Sequence, residues 1–428
     1  MGTRKATLIV LLVLTLVLVS FLKIKVDAQT RMIVVPDDCL TINEALDQAD
    51  TGDTILLKQG TYDGPINQTL IITKTISLIG EENTVLNLHP LLLNTTLFYA
   101  PYLTYNTSLI IESNNVTISG LIIKTPSPGA SISIMGNGTK IVNCTITANL
   151  SLIGSYSSVT ESLLLNSISV KGSNQIISQN TIFSGDLQIT SSYNNITGNK
   201  INDEIKLNGS NNKISGNSFD RIFLEYSDFN LIQYNNFSCI WIGFYGHTCS
   251  NNTVSGNVLD GGYIWGILMG DGSYNVFHDN LICNYTGSNS GYGIAIGGNH
   301  LVAEYNTFYR NTLMNNNRNV ATNWEVLGAG NFWDNGEVGN YWDDYSDTDS
   351  NGDGIGDVPY NVRGIKWDDN TGGHVEYVFG QDNYPLMESL DIETIPEFPS
   401  WTPFLISGLI ATFLISIIYK QRIKERKK

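Results

Sequence analysis

A unit of the form Asn-x-x-Ile-x-x-Asn-x-Ile recurs through the middle of this 428-residue chain and leaves few folds open to it. It is plain in Asn174-Gln-Ile-Ile-Ser-Gln-Asn, Asn211-Asn-Lys-Ile-Ser-Gly-Asn and Asn251-Asn-Thr-Val-Ser-Gly-Asn. Its second Asn falls at 143, 180, 199, 217, 235, 257, 280 and 306, with Ser162 in the gap, so the period is 18 to 19 residues and later 22 to 26. Within each unit β-branched residues alternate with polar ones and are cut by Gly, Asn or Asp, the pattern of short strands joined by tight turns. Strands this short cannot bury an apolar face alone. Successive units are therefore expected to stack in parallel at about 4.8 Å per coil around one Ile/Val/Leu column. The expected fold class is all-β: a right-handed, single-stranded parallel β-helix. The repeated Asn suits a turn that tolerates left-handed dihedrals, and stacked amides can hydrogen-bond along the axis, so these residues are read as structural.

The two ends differ from the middle. Ala6 to Leu22 is an unbroken apolar run behind Arg4 and Lys5, and Val26-Asp27-Ala28 supplies small residues where a signal peptidase reads, so residues 1–28 are expected to be a signal peptide. An uncleaved N-terminal anchor is the alternative. Thr402 to Tyr419 is apolar and of near-spanning length, and Lys420, Arg422, Lys424, Arg426, Lys427 and Lys428 follow it. This predicts a transmembrane helix over 402–419 with a cytoplasmic basic tail over 420–428. Between the ends the expected order is a β-helix with its cap over 29–330, an acidic C-terminal cap over 331–390 and a linker over 391–401. Residues 29–400 hold 14 basic against 38 acidic residues, a net charge of about −24, which argues against nucleic acid or anionic lipid and favours cations or neutral partners. The five cysteines are too scattered for a disulfide framework and are expected to be buried small side chains, with Cys239 and Cys249 the one candidate pair.

An open stack exposes strand edges and needs a cover. Thr41-Ile-Asn-Glu44 has capping-box form, and Ile42, Ala45, Leu46 and Ala49 give one apolar face, which predicts a short N-terminal capping helix. The run VPDDCLTINEALDQADTGDTILLKQGTY, from Val35 to Tyr62, resembles the entry to pectate-lyase-like β-helices, and specifically the NosD-type group of carbohydrate-binding and sugar-hydrolase-like proteins. The resemblance extends over residues 31 to 390. It implies a pectin-lyase-like solenoid. Ile395-Pro-Glu-Phe-Pro-Ser-Trp401 resembles the Pro-Glu-Phe signature of archaeal C-terminal sorting signals, which implies an archaeal surface protein.

Two constellations could carry chemistry. The tract from Asn340 to Asp357 reads as a calcium loop, since hard oxygen ligands at alternate positions around a glycine turn suit Ca²⁺. Counting from Asp347 leaves no acid at the twelfth position. Counting from Asp349 puts Asp349, Asn351, Asp353 and Asp357 at positions 1, 3, 5 and 9, with Gly354 at 6 and the Ile355 carbonyl at 7, and this register is preferred. That tract and Asp382-Asn-Tyr-Pro-Leu386 again resemble the C-terminal part of NosD-type proteins. The aromatics before the loop, Phe332, Trp333, Tyr341, Trp342 and Tyr345, are expected to pack on the final coils near Thr307-Phe308.

The second constellation comes from aligning Leu187-Gln-Ile, Ile205-Lys-Leu, Ile222-Phe-Leu, Ile240-Trp-Ile, Ile264-Trp-Gly and Ile294-Ala-Ile as equivalent strands. Their outward column is Gln188, Lys206, Phe223, Trp241, Trp265 and Ala295. Phe223, Trp241 and Trp265 would form a sugar-stacking platform, widened by Tyr226, Tyr245 and Tyr263, unless a loop such as 243–250 or 284–293 covers them. Beside the column run Asp186, Asp203, Glu204, Asp220 and Asp260, with Arg221 and Lys206 the nearby bases.

Three function classes stay open. The favoured one is a surface protein that binds polysaccharide or cell-envelope glycan, or serves the envelope structurally. The second is a polysaccharide lyase or glycoside hydrolase, for which Asp203, Asp220, Asp260 and Arg221 are weak catalytic candidates. It lacks the Asn-Thr-Asp and Gly-His-Gly of polygalacturonases, and the lone Arg422-Ile-Lys424 lies in the tail. The third, copper-centre maturation, is implied only by the NosD resemblance. Here His89, His247, His278, His300 and His374 show no His-x-His or His-x-x-x-His pair and the methionines do not cluster, whereas copper sites favour such ligands.

Overall fold

The computed structural model describes residues 30–89, 107–125, 130–243, 246–262, 264–287, 291–297, 303–322, 330–368 and 373–389. The expected signal peptide, linker, transmembrane helix and basic tail, like Tyr245 and Tyr263, lie outside the described residues. No helix among the described residues is long and apolar enough to cross a membrane.

Each middle coil supplies three short strands that lie parallel to those of the next. Ser158–Thr160, Leu163–Leu164 and Ile168–Val170 pair with Ile176–Ser178, Thr181–Ile182 and Leu187–Ile189. The third strand of each coil builds a 12-stranded sheet that runs from Leu70–Ile72 to Arg318–Thr322. The parallel β-helix expected from the repeat is therefore present. Its interior is an apolar column: Ile177, Ile196, Ile214, Ile232, Val254, Phe277 and Phe308 stack at one position, all fully buried. Burying each such side chain contributes about 1.5–3 kcal/mol.

Two amide ladders flank that column. One runs Asn180, Asn199, Asn217, Asn235, Asn257, Asn280, Asn311, Asn340, and each Oδ1 accepts the Nδ2–H of the preceding member at 2.9–3.0 Å. The other runs Asn194, Asn212, Asn230, Asn252, Asn275, Asn306, Asn331 in the same way. The single ladder expected from the sequence is corrected in two places. Cys144 rather than Asn143 stands beneath Ser162, and Asn306 belongs to the second ladder while Asn311 continues the first. The left-handed residue is also not the ladder Asn but the one before it, as at Gln179, Gly198, Gly216 and Tyr234. That residue turns the chain, so the Asn can point inward with its amide satisfied on both sides.

Helix α1, Ile42–Gln48, starts at Thr41, whose hydroxyl accepts the Glu44 N–H at 3.2 Å. The Glu44 carboxylate accepts from Leu40 rather than from Thr41. Ile42 and Ala45 are buried in the same core as Ile33 and Val35. At the far end the interior rings form a stack, Phe277 on Phe308 at 4.6 Å and Phe308 on Trp333 at 4.8 Å, with Trp342 stacked on Tyr360 at 4.4 Å. Trp333 and Trp342 pack as expected; Phe332 bridges to Thr307 but keeps its ring in solvent. Tyr360–Asp368 and Gly373–Asp382 follow as an antiparallel hairpin, and Asp382, the last residue of its second strand, is fully buried. All five cysteines are free and buried; burial pushes the Cys144 and Cys249 thiols up to about 11, which leaves them unreactive.

Candidate functional site

The 12-stranded sheet carries an open groove on its outer face. The strands Leu187–Ile189, Glu204–Leu207, Arg221–Leu224 and Cys239–Ile242 stack in register there, so Gln188, Lys206, Phe223 and Trp241 stand one above the other. Alternation forces this: Ile205, Leu207, Ile222, Leu224, Ile240 and Ile242 turn inward, and their neighbours must turn out. The Phe223 and Trp241 rings meet edge to face with centroids 4.9 Å apart, and both are half-buried. They form the apolar end of a groove of about 420 Å³ whose other walls include Thr190, Glu204, Asn208 and Glu225. Carrying the outward alternation one step further along each strand, from Gln188 to Thr190, Lys206 to Asn208 and Phe223 to Glu225, would have found three of these from the sequence. His247 was missed. Its ring stacks on Tyr226 at 4.3 Å and its Nδ1 lies 3.7 Å from Glu225.

Trp265 does not occupy the place the sequence alignment assigned to it. Ile240, Trp241 and Ile242 pair with Ile267, Leu268 and Met269, a shift of three residues. The core decides the register. Ile267 and Met269 are fully buried, whereas Ile264, which the other alignment would send inward, is 41% exposed. Trp265 pairs instead with Tyr292 and touches Trp241 edge on at 6.0 Å, at the border of the platform. Beyond Trp241 the outward positions are Leu268 and Ala295, and both are buried, so the open floor stops at Trp241.

Three of the acids beside the groove, Asp186, Glu204 and Asp220, belong to an ion-pair chain along the axis. Lys206 Nζ bonds Asp186 at 2.6 Å and Glu204 at 2.7 Å; Arg221 Nε lies 3.1 Å from Glu204 and 3.5 Å from Asp220. Hydrogen bonds from Lys206 to Asp186 and Glu204 push its pKa up to about 12. The ammonium stays protonated and cannot serve as the base that uronate elimination requires. Arg221 also lies over the Phe223 ring at 5.8 Å. Asp203 and Asp220 sit on consecutive coils, linked through their backbones, and Ser238 separates Asp220 from Asp260 by a coil. The Asp260 carboxylate takes the Asn284 amide at 2.7 Å. Of the candidate catalytic residues, Asp203, Asp220 and Asp260 thus share one column and Arg221 stands beside it; Asp220 is held by Arg221 and Asp260 by Asn284.

In the C-terminal loop the Asp349 carboxylate accepts the N–H groups of Gly352 at 2.7 Å and Gly354 at 2.9 Å, Asp353 accepts Ile355 at 2.9 Å, and Asp357 accepts Ser350 at 2.8 Å. Those last bonds hold the Asp357 carboxyl below its usual range. Asn351 donates to Asp353 at 2.9 Å. Each carboxylate bonds within its own turn. Among the described residues no group of three His, Cys, Asp or Glu side chains is placed to hold a metal ion. Among the described residues the donors do not fit copper: His89, His247 and His278 each face a carboxylate, Asp63, Glu225 and Asp279, at separate places on the stack.

Residues 138–347, the regular middle and end of the stack and just under half of the chain, match the family model described as "Periplasmic copper-binding protein (NosD)". This stretch is similar to the NosD family. The groove and both amide ladders lie within it or at its border. No curated protein matches the chain. Among solved structures, similar ones include a PL6 family alginate lyase at 13% identity, covering 86% of this chain with a TM-score of 0.42. Others are the A-module of an Azotobacter vinelandii mannuronan C-5 epimerase at 13% identity, 65% of this chain, 90% of that one and a TM-score of 0.46, and a PL6 family polysaccharide lyase of Pseudopedobacter saltans at 15% identity, 69% and 85% coverage and a TM-score of 0.44. This chain spans 58% of the length of the alginate lyase. At such scores the likeness of the stack to these enzymes says nothing of its chemistry.

Proposed function

We propose that this chain is an exported surface protein, anchored by its C-terminal segment, that binds neutral polysaccharide or cell-envelope glycan in the groove over Phe223 and Trp241, with helix α1 capping the N-terminal end of the stack. The observation that carries this reading is the pair of half-exposed rings on consecutive coils, in register and flanked by the hydrogen-bonding side chains of Asn208, Thr190 and Glu225. A flat apolar ring beside polar groups is what the two faces of a pyranose require. The charge of the body and the committed Lys206 speak for a neutral rather than an anionic chain. Replacing both rings by Ala is expected to weaken retention on neutral polysaccharides in affinity electrophoresis by about 10- to 100-fold, since each ring contact is worth about 0.5–1.5 kcal/mol and 1.4 kcal/mol is a factor of ten. Unchanged retention of the folded double variant would refute the groove. Release of reducing ends or unsaturated uronates by the wild type would replace binding with catalysis.

The same reading assigns Ca²⁺ to the loop from Asp349 to Asp357. Gly352 and Gly354, at φ +73° and +85°, bring Asp349, Asn351 and Asp353 to one side of a tight turn, and each carboxylate retains lone pairs beyond those its amide partners use. A cation would relieve the repulsion among Asp349, Asp353 and Asp357. Binding to the folded form alone stabilises it by about 2.7 kcal/mol at a hundredfold excess over Kd. Melting in EGTA is therefore expected below melting in calcium, with Asp353→Ala insensitive to the difference. Superimposable curves for the wild type would reduce the loop to an acidic turn.

A further inference from the structure

A second line of aromatic rings runs up the stack at the turn that follows the groove strand. Along one turn column the chain places Gly138, Tyr156, Asn174, Tyr193, Asn211, Phe229, Asn251, Tyr274 and Tyr305, and the N–H groups of Tyr156, Tyr193 and Phe229 bond the coil above at Ser173, Ser210 and Ser250. All have positive φ, between 56° and 67°. That conformation suits Gly and Asn, which fill the alternate coils, and disfavours a bulky ring. Yet Tyr156, Tyr193 and Phe229 recur on every second coil and are 69%, 61% and 59% exposed, so packing does not explain them. The opposite turn column, with Glu161, Gln179, Gly198, Gly216, Tyr234, Gly256, Asp279 and Arg310 in the same conformation, has no such rhythm.

We infer that Tyr156, Tyr193 and Phe229 form a glycan-binding strip that takes a linear, extended, neutral polysaccharide laid along the helix axis. Two coils rise about 10 Å, close to one disaccharide of an extended twofold chain, whose sugar faces return to the same side at that interval. Each ring would stack on every second sugar. The column beside it supplies hydroxyls: Ser155, Ser210 and Ser250 accept coil N–H groups at 3.2 Å and each still carries a proton to donate to a sugar oxygen. A surplus of acids over the exported part excludes a polyanion. The strip does not depend on the groove, since its rings lie on another edge of each coil.

The alternate coils provide the control, because Asn and Gly already serve this turn. The full chain carrying Tyr156→Gly, Tyr193→Asn and Phe229→Asn is expected to melt no earlier than the wild type. In affinity electrophoresis the wild type is expected to be retarded by hydroxyethyl cellulose or glucomannan and not by dextran, whose linkage does not give an extended ribbon. The triple variant should lose that retardation at least tenfold, and wild-type affinity should rise from disaccharide to hexasaccharide. The Phe223→Ala/Trp241→Ala variant should keep this length dependence, which separates failure of the strip from failure of the groove. Should the triple variant melt early, Phe229→Asn alone carries the test, with a two- to threefold loss expected. A wild type that ignores every extended polymer, or a folded variant retarded like the wild type, overturns the strip.

Discussion

Replacing Asn217 by Leu is expected to destabilise the protein by about 3–5 kcal/mol, although the two side chains have similar volume. Asn217 is almost fully buried in the middle of the first ladder. Its Oδ1 accepts the N–H of Asn199 at 2.8 Å and the Asn199 Nδ2–H at 2.9 Å, while its own Nδ2 donates to the Ile196 carbonyl at 2.9 Å and to Asn235 Oδ1 at 3.0 Å. Leu would leave the Asn199 N–H without a partner in a place water does not reach. Each orphaned buried group costs about 1–3 kcal/mol, and several are weakened at once. Lys213→Ala, on the exposed side of the same coil, should stay within about 0.5 kcal/mol of the wild type. Urea titrations of the two variants give the comparison. A loss below 1 kcal/mol for Asn217→Leu would mean that the ladder only accompanies the fold and does not hold it.

The second large effect is a pH dependence of opposite sign to that of most carboxylates. Asp382 accepts the N–H of Asn340 at 2.7 Å, the Trp342 indole at 2.8 Å and the N–H of Tyr384 at 3.0 Å, yet burial outweighs these bonds and pushes its pKa up to about 6 from 3.8. The native state then holds this proton more tightly than the unfolded chain does. Its stabilising share is complete below the unfolded value, falls as pH rises through the window from 3.8 to about 6, and is gone above it. At about 1.36 kcal/mol per pH unit the window amounts to roughly 3 kcal/mol. Asp382→Asn removes the titration. Its amide nitrogen would also oppose a donor, a cost that does not vary with pH, so the slope is the readout. The stability of the variant relative to the wild type should climb by about 3 kcal/mol between the two ends of that window. Parallel stability curves would show that Asp382 keeps an ordinary pKa.

Much of this architecture could be read from the residues. The Asn-x-x-Ile repeat required a stack of short parallel strands because nothing else buries an apolar face three residues long, and the stack is there. Gln188, Lys206, Phe223 and Trp241 followed from period-two alternation while the coils kept 17 to 19 residues. The reading broke where the coils lengthen. Between Ile242 and Ile267 added residues make Ile264-Trp-Gly and Ile267-Leu-Met equally good by pattern, and only the demand for two fully buried side chains selects the second. Asn306 was misassigned for a similar reason, since two ladders carry the same residue type five positions apart. The ion pairing of Lys206 and Arg221 had no sequence signal beyond proximity, because which carboxylate a long side chain reaches is settled in three dimensions.

The second ladder also bears on how a protein of this kind can change. Consecutive members are separated by 18 residues at Asn194 to Asn212, 22 at Asn230 to Asn252 and 31 at Asn275 to Asn306, yet the amide contact stays between 2.9 and 3.1 Å throughout. A stretch of thirteen extra residues leaves the axial spacing untouched. Insertion and deletion are therefore absorbed at the turns, where closing a longer loop costs little, while the rungs keep the strands in step. Lineages can lengthen, shorten or exchange the surface of one coil without renegotiating its neighbours. The amide column acts as a ruler against which new binding surfaces are tried.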